Sequence, residues 1–457
     1  MKRDVTLKES IFLLVILMII IGISIIGLDL QPQIPILFAV GIVIFFAKMK
    51  GASWDAIHKG IQNGIIPGLI PIIIFMLIGV LISVWISAGT IPTIMVYGLG
   101  ILSAKFFLPS VFVICALVGI LVGSSFTTIS TIGIAFLGMG QMMEFNLAMT
   151  AGAIVSGAYV GNNISPLSDT ANLASAIAEV DLFEHIRNML RKIVPSFVIS
   201  LIFFIIIGQT KVGATGNNIN ELVDTLHSNF NISIVSLIPA LILFLCAWKK
   251  VPAIPTLLLS IIVTIVIHYI YYPHTSFSQI SNLMQDGFVS NTGTETVDIL
   301  LTRGGMQSMM WSVSLIILAL SLGGLLVELK IIETLISKIQ SLVSTKGKLI
   351  LMAGLSAVGI NIVLGEQYLS IILPGKAFKS QVEAININPK KLSAILADAG
   401  AVVNSLIPWG VSGVFITGTL GVPTLEYAPF AIFCVIAPII NVLSGFFEKE
   451  KDLTRLS

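Results

Sequence analysis

Long apolar runs alternate with short polar stretches along the whole chain. Runs of about 20 residues, the length that a helix needs to cross a bilayer, recur from one end to the other. The strict alternation of an outer-membrane β-strand is absent. The pattern therefore predicts an all-α polytopic membrane protein, with spans at 11–28, 33–48, 66–87, 193–208, 231–248, 252–272, 306–327 and 427–447.

Other segments are less regular. Residues 109–140 and 349–381 are too long for one crossing and are broken near the middle, which predicts either tilted broken helices or re-entrant hairpins. Residues 146–178 and 391–420 also contain polar breaks and are predicted as discontinuous helices. The stretch 91–105 is apolar enough to cross, whereas 331–345 is amphipathic and predicts a helix in the membrane interface.

The polar breaks recur at a constant offset. Gly123 and Gly365 are 242 positions apart (365 − 123), as are Asn162 and Asn404, and Pro166 and Pro408. Paired breaks in corresponding positions of two halves are typical of transporters built from inverted-topology repeats. We expect a first repeat at 1–210, an extracellular loop at 211–230 and a second repeat at 231–457. The same offset also relates Gly133/Gly375, Phe136/Phe378, Asn146/Asn388 and Val160/Val402.

Basic residues predict the orientation, because Lys and Arg collect in cytoplasmic loops. If 91–105 and 109–140 both cross the membrane, each half has seven spans and the total is 14. If 91–105 is interfacial and 109–140 is a hairpin, each half has five spans and the total is 10. Both numbers are odd, so the second half is inverted and both termini are cytoplasmic. The residues that carry this inference are Lys2, Arg3, Lys8, Lys48, Lys50, Lys59, Arg187, Arg191, Lys192, Lys249, Lys250, Lys449, Lys451 and Arg455.

Composition excludes several classes of protein. Of the 457 residues, 56% are hydrophobic and 11% are charged, a composition that excludes an ordinary soluble protein. The net charge of +2 gives no indication of a nucleic-acid partner. Three separated cysteines form no metal motif, and we expect no cofactor beyond coupling Na⁺ or H⁺. An intramembrane enzyme would need a nucleophile and base, yet no histidine lies in the breaks. A channel would not need two equivalent breaks in each half.

Three carboxylates, Asp169, Glu366 and Asp398, are predicted deep inside apolar segments. Each costs at least about 3 kcal/mol at the bilayer centre and should face a cavity or a partner. Because the same breaks contain no Lys or Arg, a coupling cation or a proton is the expected partner. The alternative is a protonated carboxyl group that caps a broken helix.

Hydroxyl and amide groups surround these carboxylates. Where a helix unwinds, side-chain oxygens and free carbonyls coordinate Na⁺, although Ser and Thr also bond back to helical carbonyls. Trp409 either walls a cavity or packs. The candidate ligands are Ser124, Ser125, Thr127, Thr128, Asn162, Asn163, Ser165, Ser168, Thr170, Asn404 and Ser405, with Na⁺ considered at Asp169, Asp398, Asn162 and Asn404.

The run from Gly161 to Ala174, which contains Ser-Pro-Leu-Ser-Asp-Thr, resembles the NhaC family of Na⁺/H⁺ antiporters. The segments 367–369, 373–375 and 406–409 resemble second-half motifs of the same family. The resemblance implies a secondary transporter with a hairpin and an unwound helix in each half. It also implies relatives that exchange malate and lactate or carry amino acids.

Departures from the family pattern affect the inferred substrate. Asn162-Asn163 replaces the family's Asp-Lys pair, and Ala397-Asp398 replaces its Glu-Asp pair. We expect a Na⁺/H⁺ antiporter-like transporter in a bacterial-type plasma membrane. The alternative is a Na⁺- or H⁺-coupled carrier of a small organic solute, such as an amino acid or a hydroxy acid. The expected partners are the lipid bilayer and small ions, with an organic solute and a homodimer left open.

Overall fold

The structure, a computed structural model, describes residues 5–28, 30–209 and 216–447. Within these ranges the chain is helical apart from loops and one isolated β-bridge between Phe288 and Arg303. The prediction of an all-α fold is confirmed. The orientation argument also used Lys2, Arg3, Lys449, Lys451 and Arg455, which lie outside the described residues.

The helices of the first half follow the predicted spans and breaks. A π-helical turn, Ile23–Gly27, follows α1, and another, Ile129–Gly133, joins α7 to α8. The bounds are α1 Leu7–Gly22, α2 Gln33–Met49, α3 Trp54–Ile65, α4 Leu69–Ser87, α5 Thr90–Ile101, α6 Phe107–Val122, α7 Ser125–Thr128, α8 Ile134–Met142, α9 Leu147–Ile164, α10 Asp169–Ile177 and α11 Leu182–Gly208.

The polar stretch predicted as an extracellular loop contains α12, Gly216–Asn229. In the second half, α21 continues through a π-helical turn, Leu396–Val402, and a 3₁₀ turn, Val403–Leu406. The bounds are α13 Ile238–Trp248, α14 Ala253–Tyr271, α15 Phe277–Asp286, α16 Glu295–Leu301, α17 Met310–Glu328, α18 Ile331–Gln340, α19 Lys346–Leu364, α20 Gln367–Ala384, α21 Pro389–Ile395, α22 Val411–Leu420, α23 Thr424–Tyr427 and α24 Ile432–Phe447.

Seven helices among the described residues are long and apolar enough to cross a membrane, or nine if each of two bent pairs counts as one span. One bent pair, Pro389–Leu406 with Val411–Leu420, turns by 44° at the second predicted break. The polytopic, broken-helix character predicted from the sequence is thus confirmed. We call residues 165–168 the first break and 407–410 the second break.

The first long segment folds as a helical hairpin. Phe107, at the start of α6, packs against Phe145, beyond the end of α8, with ring centroids 5.1 Å apart. The two arms therefore start and finish at the same level, and their tip is Gly123-Ser124. A Cβ atom at Gly123 would lie 2.4 Å from Leu167 Cβ, which places the tip against the first break.

The second long segment, 349–381, folds in the same way. Gln381, near the end of α20, donates from Nε2 to the carbonyl of Gln340, just before α19, at 3.1 Å. The hairpin tip is Gly365-Glu366, and Val411 N donates to the carbonyl of Gly365 at 2.7 Å across the second break. Both long segments are therefore helical hairpins whose arms meet at a glycine-containing tip.

Helix α5 covers most of the stretch 91–105, which the sequence left open as a crossing or an interfacial segment. It has 12 residues, and a helix of that length spans about 18 Å, whereas the hydrocarbon core is about 30 Å thick. Leu102 leaves the helix with extended backbone. The length of α5 thus favours the interfacial alternative.

The two halves turn the chain at equivalent residues. Three pairs at the 242-residue offset all have left-handed backbone: Gly123 and Gly365, Glu144 and Asn386, and Glu179 and Gly421. This conformation is uncommon outside glycine, so its recurrence at matching positions is informative. Asn146 and Asn388 also both cap a helix N-terminus through their side chains.

Glycines fix the first hairpin against α9. A Cβ atom at Gly161 would lie 2.5 Å from the carbonyl oxygen of Ala116, and one at Gly157 would lie 2.3 Å from that of Phe112. Small residues allow membrane helices to approach to backbone contact. Asn162 and Asn163 follow Gly161 directly, so this contact holds the first break in register with the hairpin tip.

Candidate ion-binding site

Asp398 is buried at the centre of the polar residues. It lies in the π-helical turn before the second break and is 1% exposed. Its Oδ1 atom accepts from Asn163 Nδ2 at 2.7 Å, and its Oδ2 atom accepts from Asn441 Nδ2 at 2.8 Å. Asn163 comes from α9 and Asn441 from α24, so the carboxylate joins both halves of the chain.

A lysine lies one amide away from this carboxylate. Lys192, on α11, is 7% exposed, and its Nζ atom donates to Asn441 Oδ1 at 2.7 Å. Asn441 therefore bridges the ammonium group and the carboxylate. The sequence analysis found no basic residue within the break, and α11 brings this lysine to the site from another part of the chain.

Lys192 and Asn441 gave weak signals in the sequence. Lys192 stands at the edge of an apolar run, where it was counted among the cytoplasmic flanking residues. Asn441 is a single amide inside the last span. A buried polar side chain in an apolar run needs a partner, which is the signal that identifies Asn441.

Asn361 organises the backbone around Asp398. Its Nδ2 group donates to the carbonyls of Ala399 at 2.9 Å and Gly400 at 2.7 Å, in the π-helical turn. Its Oδ1 atom accepts from Ser370 Oγ and from Asn404 Nδ2, both at 2.9 Å. Asn361 thus joins the second hairpin to the second break, a role that the sequence analysis missed.

Each break is closed by the asparagine that precedes it. Asn162 Nδ2 donates to Thr170 Oγ1 at 3.0 Å, and Asn404 Oδ1 accepts from the backbone N–H of Ser412 at 2.7 Å. Both bonds join residues eight positions apart, on either side of a break. Asn162 and Asn404 therefore hold half-helices together, whereas Asn163 is the amide that contacts Asp398.

The remaining first-break residues make local contacts. Ser165 Oγ donates to the carbonyl of Ile120, on the first hairpin, at 2.8 Å. Ser168 caps α10 by accepting from the N–H of Ala171 at 3.3 Å. Thr170 meets Ser168 through their hydroxyls at 3.1 Å. These groups shape the break at its contact with the hairpin tip.

Asp169, which was predicted to face a cavity or a partner, is exposed in the structure. It is the first residue of α10, where its Oδ1 atom accepts from the N–H of Thr170 at 2.8 Å. Its Oδ2 atom accepts from the Tyr368 hydroxyl at the second hairpin tip. An acid in the first turn of a helix is stabilised by the helix dipole, which explains why this carboxylate tolerates its position.

Glu366 is 1% exposed and caps the second arm of its hairpin. Its Oε2 atom accepts from the N–H of Leu369 at 2.6 Å. At the equivalent position Ser124 caps α7 by accepting from the N–H of Thr127 at 3.3 Å. The capping alternative for Glu366 therefore has direct geometric support.

Several predicted ligands bond to their own helices. Thr128 Oγ1 donates to the carbonyl of Ser124 at 2.9 Å, and Ser405 Oγ to that of Val402 at 2.7 Å. Trp409 Nε1 donates to the carbonyl of Ile362 at 2.7 Å, and its side chain is buried, which indicates packing. Ser125 and Thr127 are buried at the first hairpin tip.

Two buried polar atoms near the site lack a hydrogen-bond partner among the described residues. One is Asn163 Oδ1, whose amide nitrogen already contacts Asp398, and the other is the Tyr159 hydroxyl, with the hydroxyls of Ser125 and Ser412 beside it. An unpaired oxygen buried next to a carboxylate is costly unless a cation or a proton donor joins it. Asn163 Oδ1 and Asp398 thus provide oxygen ligands that suit Na⁺.

Helical hairpins, broken helices and a carboxylate buried between them define a secondary active transporter. Residues 157–449 match the model of the Na⁺/H⁺ antiporter family. The chain belongs to this family and is a transporter, not an enzyme. Sodium ions and protons are substrates in this family and not resident cofactors.

Three relatives show the range of the similarity. The chain is 40% identical to the Na⁺/H⁺ antiporter NhaC of Alkalihalophilus pseudofirmus over 99% of each chain. It is 37% identical to the Na⁺/H⁺ antiporter NhaC of Bacillus subtilis, over 98% of this chain and 99% of the relative. It is 33% identical to the arginine/ornithine antiporter ArcD of Halobacterium salinarum, over 93% of this chain and 88% of the relative.

The geometry predicts different effects for the two neighbouring asparagines. In Asn163→Asp, a carboxylate without a donor faces Asp398 at hydrogen-bond distance, so like-charge repulsion should reduce Na⁺-driven flux at least about tenfold. In Asn162→Asp, the new carboxylate can accept from Thr170, so flux should fall less than about threefold. The measurement is initial flux per inserted protein in proteoliposomes, with thermal unfolding in detergent as the folding control. Equal losses in the two variants would contradict the assignment of Asn163 to the site.

Proposed function

We propose that the protein exchanges Na⁺ for H⁺ and that both ions use Asp398 in turn. The observation that carries this proposal is the buried carboxylate of Asp398 beside the unpaired oxygen of Asn163. Burial strongly favours a neutralised carboxylate, and either a proton or Na⁺ achieves this. Because one site then holds one ion at a time, occupancy by Na⁺ excludes the proton, which couples the two fluxes.

Besides a proton and Na⁺, Lys192 also offsets the negative charge of the Asp398 carboxylate. Its ammonium group donates to Asn441, and Asn441 in turn donates to Asp398. Separating a buried carboxylate from its compensating groups is costly. In this proposal Na⁺ enters while Lys192 keeps its bond to Asn441, and the positive charge of the lysine opposes Na⁺ and so promotes its release.

Transport of a small organic solute is the second candidate. A cavity of about 450 Å³ is lined by Trp311, Thr417, Thr424 and Pro408, and so reaches the second break. The similarity to a protein named as an arginine/ornithine antiporter supports the same alternative. The neutral amides Asn162 and Asn163 leave room for a substrate that brings its own charge.

The two halves, 1–210 and 231–457, are inverted repeats in this proposal, and 211–230 lies outside. The matching left-handed turns support the repeat. Lys48 and Lys50 after α2, and Lys249 and Lys250 after α13, support a cytoplasmic location for those ends and for both termini in a bacterial-type plasma membrane. One chain carries every group of the Asp398 site described above, so the site does not require a homodimer.

The test of function uses proteoliposomes with an imposed Na⁺ gradient and an internal pH indicator. Wild-type protein should change the internal pH without any added solute, and Asp398→Asn should abolish the response because an amide does not take up and release a proton and so cannot couple the two ions. Insertion and thermal unfolding of the variant serve as controls. A flat wild-type trace across pH and Na⁺ concentration would exclude Na⁺/H⁺ exchange, and a response that needs arginine, ornithine or a hydroxy acid would support solute transport.

Substitution of Lys192 by Gln tests its opposition to Na⁺. The Gln amide can still donate to Asn441, but the positive charge is lost. We expect both the apparent KM for Na⁺ and kcat to fall about tenfold, because tighter binding slows release. Lys338→Gln, on the exposed side of α18, is the matched control and should change neither constant. A rise in KM in Lys192→Gln would show that the lysine does not compete with Na⁺.

The orientation can be tested by cysteine labelling after removal of the native cysteines. A cysteine beside Lys249 should react with a membrane-impermeant thiol reagent only from the cytoplasmic side, and one beside His274 only from outside. This expectation follows because a single helix, α14, separates the two positions. Reaction of both cysteines from the same side would show that α14 does not cross.

A further inference from the structure

A line of polar side chains on α11 leads from the end of that helix to the Asp398 site. His185, Asn188 and Lys192 follow at spacings of three and four residues, which places them on one face of the helix. Asn188 Nδ2 donates to the carbonyl of Lys390 at 3.0 Å, and Lys390 pairs with Glu184 at 3.0 Å. Glu184 is half exposed, so the line begins at the surface of the protein.

His185 is the buried member of this line that can carry a proton. It is 0% exposed, and its Nδ1 atom lies 2.9 Å from Ser393 Oγ on α21. The Ser393 hydroxyl donates its only hydrogen to the carbonyl of Lys390 at 3.1 Å. With that hydrogen engaged, we assign the tautomer of His185 that carries its hydrogen on Nδ1, which leaves Nε2 as a bare acceptor.

The Nε2 atom of His185 is also buried and lacks a hydrogen-bond partner among the described residues. A buried imidazole with a free acceptor can take up a proton, which a packing residue would not need. Its position fits such a role. Lys192 lies seven residues further along α11, about 10 Å along the axis, and Ser393 lies five residues before Asp398 on the neighbouring helix.

We propose that His185 transfers protons between the Asp398 site and the cytoplasmic end of α11. In the release direction, Nε2 takes up a proton that leaves the Asp398 site while Nδ1 keeps its bond to Ser393, and Nε2 then gives the same proton up on the cytoplasmic side. The ring is an imidazolium between the two steps and ends neutral in its starting tautomer. This inference rests on the proposed Na⁺/H⁺ exchange and on the proposed orientation.

Charged residues surround His185 on its own helix and on its neighbours. Glu184, Arg187, Arg191 and Lys192 come from α11 and Asp181 caps its N-terminus, Lys390 and Lys391 come from α21, Asp169 begins α10, and Glu179 lies just after α10. The described residues of α6, α9 and α24, which also pack against α11, carry no Asp, Glu, Lys, Arg or His.

The test compares His185→Gln with wild type in proteoliposomes whose internal and external pH are set separately. The Gln amide can still donate to Ser393 but cannot transfer a proton. We expect kcat for Na⁺-driven proton movement to fall at least about tenfold, within the range of lost acid–base steps, while the KM for Na⁺ changes less than about twofold. The dependence of the rate on pH should flatten at the cytoplasmic face only.

Two further variants separate transfer from packing. His58→Gln, on the exposed side of α3, is the matched control and should resemble wild type. Ser393→Ala keeps the imidazole but removes its partner, and should give an intermediate rate with a shifted cytoplasmic pH profile. If His185→Gln does not fold, Ser393→Ala decides by the same profile.

The outcomes distinguish this inference from the proposed function. If wild type shows no Na⁺-driven pH change, both fail. If wild type is active and His185→Gln keeps the wild-type rate and pH profile, the inference on His185 is overturned while Na⁺/H⁺ exchange stands. A loss of rate accompanied by a flattened pH response on both faces would also overturn it, because a transfer group acts on one side.

Discussion

The free-energy cost of a carboxylate inside the membrane is the constraint on which the site depends. Asp398 is 1% exposed, and an isolated charge there would be strongly disfavoured. The protein offsets this cost with two amide donors and one lysine held at a distance by Asn441. These groups come from α9, α24 and α11, so the position of each of these helices is tied to one carboxylate.

A related constraint acts on the backbone, because unpaired carbonyl and N–H groups cannot be left in lipid. The two breaks and the π-helical turn free such groups in the middle of the protein. Asn361 donates to two free carbonyls in the π-helical turn, and Asn162 and Asn404 form hydrogen bonds across the two breaks. Asparagine suits this work because one side chain both donates and accepts. The hairpin tips then cover the breaks with protein in place of lipid.

The sequence predicted those parts of the fold that local patterns encode. Apolar runs gave the spans, and glycine and proline at a constant offset gave the breaks and hairpins. Asp398, Asn163 and Asn404 were identified for the same reason, since polar residues in apolar runs are conspicuous. The length of α5 was not predictable from hydropathy, and neither was the exposure of Asp169 at the start of α10.

Contacts between distant residues account for the remaining differences. Lys192 and Asn441 are 249 positions apart, and Asn163 and Asp398 are 235 apart. No local period links such pairs, so only the packing of α11, α24 and α9 shows that they form one site. His185 was overlooked in the same way, because its partner Ser393 is 208 positions away.

Asn163 occupies a position where the family pattern has a lysine, and this difference changes how the charge of Asp398 is balanced. The family resemblance places a lysine at that position, where Asn163 Nδ2 lies 2.7 Å from Asp398. A lysine there would form a direct buried ion pair, which is costly to separate. In this chain the positive charge instead comes from Lys192, which donates to Asn441, and Asn441 in turn donates to Asp398. The amide at 163 then keeps one oxygen unpaired beside the carboxylate. In the proposed Na⁺/H⁺ exchange, the substitution thus replaces a fixed counter-charge by an oxygen ligand for the cation at Asp398.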